Sequence, residues 1–198
     1  MIRYFLTVLL ILLAAFIFRQ FIPVLPDFFY ARVFLVPLIF LCAAVTVQLP
    51  AMLIYSFICG FLWDSQHTVL PVTGDIEVYS EPISTLRFGY SIILFAIAGL
   101  TMQGVQPIFR EGKWQVSVMV TGLALFLYLL LELMLLSFVQ GQILLSLPTI
   151  RFILASSAIT MFASPFVFLL LFKLAKTFRY TITYDGLRRG KGYTLENT

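Results

Sequence analysis

Apolar runs long enough to cross a bilayer recur along most of the chain, and no other feature restricts its folding as strongly. A hydrocarbon layer about 30 Å thick takes about 20 mostly apolar residues as a helix. Runs of that order extend from Tyr4 to Phe18, reaching Ile22 if Arg19 snorkels, from Leu86 to Phe109, from Trp114 to Val139 and from Ile150 to Phe172. One further run, Val33 to Trp63, would be about 46 Å long as a single helix, too long to span without steep tilt. Gln48, Leu49 and Pro50 interrupt its middle, so it reads as a tight hairpin of two short helices. Hydrophobic residues make up 61% of the chain and charged residues only 11%. Ordinary soluble domains have about 45 to 50% and about 25%, so the apolar surface exceeds what one small core could hide and the implied solvent is lipid. The expected fold is an all-α, polytopic integral membrane bundle of six, alternatively five, transmembrane helices. Residues 1–178 form its single domain, with an outer loop at about 64–87, and 179–198 form a basic cytoplasmic tail.

Charge sets the orientation. Six of the thirteen basic residues follow Phe172, beside the last apolar run, where they act as an orientation signal and a contact for anionic lipid rather than for nucleic acid. With six spans and a cytoplasmic N-terminus, nine basic groups lie inside and only Arg19, Arg32, Arg87 and Arg151 outside. With five spans the bias is ten to three, equally acceptable to the positive-inside rule. The break at Pro50 favours six. Either count puts the turn-rich loop containing His67, Asp75, Glu77 and Glu81 outside. Bulky Phe16, Phe18 and Phe21 follow the first apolar run, where a cleavable leader would have small residues, so that run is expected to stay as a helix.

Glu132 is the one ionisable residue well inside an apolar run, and by default such a residue marks a functional site. Ser117, Thr121, Tyr128 and Glu132 share a helix face that lipid would not favour. A relay of such groups would suggest a proton or substrate path, but a single carboxylate fits better with a structural contact, pairing Glu132 with Arg151 or Arg87. On the last helix Ser156, Thr160 and Ser164 repeat every four residues, a stripe that lets another helix approach closely. Pro165, directly after it, is positioned to kink or break that helix. Ser56 and Gly60 form a similar pair, with Asp64 one turn further on.

Chemistry is sparse elsewhere. One histidine and two cysteines, Cys42 and Cys59 inside apolar runs, give no metal-ligand spacing, and neither a phosphate-binding glycine loop nor a nucleophile triad can be assembled. No cofactor is implied and an enzyme is the weakest functional class.

The stretch Ser56 to Asp64, SFICGFLWD, resembles the small-Phe-x-x-Gly-x-x-x-Asp signature of the rod shape-determining protein MreD family. Further similarities follow in order: Gly89-Tyr-Ser, Pro107-Ile-Phe-Arg110 with Trp114-Gln115, and Ser164-Pro-Phe through Lys173. The similarity extends loosely from Arg32 to Phe178, while the loop between Asp64 and Gly89 and the basic tail are longer than the family's. The resemblance implies a small, non-enzymatic, all-helical scaffold of the bacterial inner membrane, multi-pass with both termini cytoplasmic. Such a protein supports cell-wall elongation, peptidoglycan synthesis and rod shape. Its partner would be an MreC-like bitopic membrane protein, with the actin-like filament and wall synthases as indirect partners. Helix-contact or partner-binding residues would then include Ser56, Gly60, Asp64, Ser156, Thr160, Ser164 and Pro165. The competing expectation is a substrate-binding membrane subunit of a small-molecule transporter, with Glu132, Tyr128 and Arg151 as intramembrane polar groups.

Overall fold

The computed structural model describes residues 2–23, 31–67, 88–109, 114–141 and 146–180. Within them the chain forms six α-helices: α1 (Ile2–Phe18), α2 (Leu35–Thr46), α3 (Leu49–His67), α4 (Tyr90–Phe109), α5 (Trp114–Gln140) and α6 (Leu147–Thr177). A 3-10 turn, Arg19–Phe21, prolongs α1. Three segments are long and apolar enough to cross a membrane, Ile2–Phe21, Val116–Val139 and Leu147–Thr177. Helices α3 and α4 approach span length, at 19 and 20 residues, but carry more polar groups.

The run from Val33 to Trp63 divides as its sequence suggests. Phe40 of α2 lies against Phe95 of α4 at 5.1 Å, and further along both helices Gln103 reaches Ala44 and Val47. These two helices therefore run in the same direction. Along α3 the order is reversed, with Met52 against Gly99 and Gly60 against Ile92. So α2 and α3 form a hairpin, reversing at Val47 and Gln48. Pro50 is not itself the break. It occupies the first turn of α3, where its missing N–H would have had no intrahelical partner.

Helix α2 is the centre of the bundle. Every residue from Val36 to Thr46 is buried, and the helix packs against all five others. Such all-round burial suits a segment without a polar face. At 12 residues it is about 18 Å long, little more than half a hydrocarbon layer. Both of its ends consequently fall inside the protein, where open backbone groups need partners. At its C-terminal end the Gln103 side chain donates to the carbonyls of Ala44 (2.6 Å) and Val47 (2.8 Å), and Gln106 donates to that of Val45 (2.7 Å). Ahead of it, the non-helical residues Arg32 and Phe34 donate their N–H groups to Ser156 Oγ and Thr160 Oγ1 of α6, each at 3.2 Å.

The two ends of the described chain meet. The Tyr4 ring stacks on Tyr180 with centroids 4.4 Å apart, and its hydroxyl donates to Thr46 Oγ1 at 2.9 Å. Tyr4, the C-terminal end of α2 and Tyr180, just beyond α6, therefore share one end of the bundle. Arg19, Trp63 and Glu132 share the other.

Several expected boundaries move. Helix α3 continues to His67, so the loop expected from Asp64 starts later, and residues 68–87 lie outside the described residues. Helix α6 begins at Leu147, where Ser146 caps it by accepting from the Thr149 N–H at 3.4 Å and Pro148 occupies the first turn. It runs unbroken through Pro165 to Thr177. The basic tail expected from 179 onward is described only to Tyr180.

Candidate functional site

The residues singled out by the small-residue pattern are all drawn into this chain's own interior. Ser56, Asp64, Ser156, Thr160 and Ser164 are buried, and a methyl group added to Gly60 would run into the backbone of Ile92 on α4. The pair Ser56 and Gly60 thus lets α3 and α4 approach closely, as a small-xxx-small face should. Asp64 extends the same seam: its Oδ2 accepts the N–H of Gly89 at 2.6 Å, just before α4 begins. Gly89 has φ +100, which only glycine adopts without strain. Two members of the α6 stripe, Ser156 and Thr160, hold the extended lead into α2, and the third, Ser164, has a buried hydroxyl without a hydrogen-bond partner among the described residues.

Glu132 lies elsewhere, on a cavity of about 870 Å³ between the Arg19 end of α1, the residues before α2, and parts of α3, α5 and α6. The Trp63 indole N–H donates to its carboxylate, and Arg19 and Asp64 are the charged groups that act on it. The Arg19 guanidinium carbon sits 3.9 Å from the centre of the Trp63 ring, within the range at which a cation is attracted to an aromatic face. A second bond, from Arg19 Nη1 to Gln66 Oε1 at 3.4 Å, turns the side chain toward α3. Arg19, Trp63 and Glu132 thus clasp α1, α3 and α5 together, with the indole between a cation on its face and a carboxylate at its edge.

Arg151, the expected partner of Glu132, is exposed on α6 and is not among the cavity residues; the cation of the clasp is Arg19. Arg87 lies outside the described residues. Tyr128, one turn before Glu132, is buried with its hydroxyl unpartnered among the described residues, so the shared face of α5 does not join them by a hydrogen bond. Thr121 satisfies its hydroxyl locally on the Ser117 carbonyl at 2.8 Å.

The rest of the cavity is of two kinds. Arg32, Gln20 and Thr149 bring polar groups, while Phe34, Leu129, Leu133 and Phe152 form an apolar wall. Arg32 is exposed and held through its backbone N–H, which leaves its guanidinium outside the stitching of α2 to α6. Sequence reasoning passed over Arg19, Arg32 and Trp63 because each bounds an apolar run, a position normally read as a membrane boundary. It also passed over Gln103 and Gln106, whose spacing of three in an apolar run places them on one helix face. No set of three or more His, Cys, Asp or Glu residues among those described could hold a metal ion. Compared with protein-family models, curated proteins and solved structures, the chain finds no match.

Proposed function

We propose that this chain is a multi-pass scaffold of the bacterial cytoplasmic membrane, crossing it six times with both termini in the cytoplasm and acting beside an MreC-like bitopic protein in cell-wall elongation. The observation that carries the reading is the meeting of family-like residues on one seam: Gly60 of α3 packs on the backbone of Ile92, and Asp64 accepts the N–H of Gly89, at the start of α4. Residues far apart in the sequence that support the resemblance thereby gain one physical task, the rigid joining of two helices. The exposed apolar faces agree with a lipid setting. Leu6, Leu10, Leu13 and Ile17 line one side of α1, and Phe162, Phe166 and Leu169 one side of α6. Stacking of Tyr4 on Tyr180 favours an even number of crossings.

Purification in mild detergent followed by mass spectrometry tests the proposal. A single-span protein with a coiled-coil extracytoplasmic part should co-purify, and loss of the chain should round rod-shaped cells. Recovery of an energy-coupling ATPase instead would establish the second reading, a substrate-binding subunit of a transporter. That reading draws on the cavity and on the interrupted backbone before α2, a feature tolerated at membrane depth where it is buried in protein or lines a cavity.

A further inference from the structure

The cavity beside Glu132 has a chemistry that the scaffold reading does not use. Its volume of about 870 Å³ falls among ligand pockets of about 300–1,000 Å³ and far exceeds the gaps of a packed interior. Among the described residues its charges do not cancel: Arg19 and Arg32 face a single carboxylate, Glu132. Glu132 already accepts from Trp63 and faces Arg19, which makes Arg32 the cation in the wall without a fixed counter-charge among the described residues. A guanidinium suits phosphate because its planar donors can engage two oxygens at once. The same lining includes Phe34, Leu129, Leu133 and Phe152, which offer surface for a hydrocarbon chain. Trp63, the strongest cation-attracting ring in the lining, already has Arg19 over its face.

We infer that the cavity binds an anionic amphiphile, with a phosphate head at Arg32 and Arg19 and its acyl chain along α5 and α6. The site stands independently of the scaffold proposal. It selects lipids by headgroup charge: an anionic phospholipid enters, while a choline-headed lipid brings a second cation toward the arginines.

The test uses the full chain carrying Trp114→Phe, so that Trp63 is the sole indole. The purified protein in detergent is titrated with phosphatidylglycerol brominated on its acyl chains, and quenching of Trp63 is read. Saturable quenching is expected, with phosphatidylcholine of the same chains quenching weakly. Arg32→Gln should weaken the phosphatidylglycerol response about tenfold or more, the loss expected for one charge-assisted hydrogen bond, and Arg32→Lys should restore part of it. Glu132→Gln, which removes the charge opposing the phosphate, should strengthen the response. An unchanged emission spectrum and melting temperature of the unliganded Arg32→Gln protein keeps that comparison valid. Equal quenching by the choline lipid, indifference to Arg32→Gln, or abolition by Glu132→Gln would each overturn the proposal. So would competition by soluble glycerol phosphate at the lipid's own concentration, because the phosphate source would then be a small metabolite and the apolar wall irrelevant.

Discussion

The Asp64 carboxylate, at the end of α3, accepts the backbone N–H of Gly89 at 2.6 Å and so holds the start of α4 across 25 positions of sequence. An acidic residue here also complements the positive end of the α4 dipole. Replacing Asp64 with Ala should leave a part-buried N–H unsatisfied and cost about 1–3 kcal/mol. Asp64→Asn retains an acceptor and should cost less. Unfolding in mixed micelles with increasing sodium dodecyl sulfate measures both, and equal stability of parent and Asp64→Ala would remove the contact's importance.

On the same seam, Gly60→Leu should disrupt the α3–α4 contact because even one added carbon collides with backbone at Ile92 rather than with a movable side chain. Ile58→Leu, at a part-exposed position, should fold like the parent. Size-exclusion profiles and thermal melts distinguish them: a monodisperse, equally stable Gly60→Leu protein would mean that the helices can separate without loss.

Gln103 serves the carbonyls of Ala44 and Val47 at the end of α2, and Gln106 serves that of Val45. Changing either to Leu should destabilise by about 1–3 kcal/mol. The double variant should lose less than the sum, because both amides secure the same helix end. Strict additivity in detergent unfolding would show that they act separately.

How far this organisation could be read from the sequence depended on where polarity sat. Apolar run lengths and the interruption near Pro50 revealed the six helices, because chain length against bilayer thickness is a one-dimensional problem. The close approach at Gly60 was visible because small residues four apart have few other uses in an apolar helix. Pairing was harder. The partner of Glu132 is selected by how α1, α3 and α5 are arranged around α2, and nothing local to Glu132 distinguishes Arg19 from Arg151. The complete burial of α2 was hidden for the same reason, since a helix apolar all round looks alike whether its neighbours are lipids or helices.

Glu132→Gln should be largely tolerated under the scaffold proposal, since the amide oxygen can still accept from the Trp63 indole. Glu132→Leu should be worse, leaving that N–H without its acceptor and Arg19 without the nearby carboxylate charge. Complementation of cell shape, read together with protein level, separates these outcomes. A Gln variant made at normal level, bound to its partner and yet inactive would demand a role for the charge itself and sink the scaffold reading.

Orientation can be tested with single cysteines. A cysteine at Ser80 should react with an impermeant maleimide in intact cells, and one at Thr194 only after lysis, as the basic tail and the positive-inside rule require. Labelling of both in intact cells would reverse the topology.

The shortness of α2 has a consequence for how the chain is made. A 12-residue helix is a poor stop for the insertion machinery, and when it emerges neither α4, with its two glutamines, nor α6, with Ser156 and Thr160, has yet been synthesised. For that interval the ends of α2 lack the side chains that later satisfy them. The lead into α2 is therefore secured only once α6 has been made, and a chain arrested after α5 should leave that lead open to proteases.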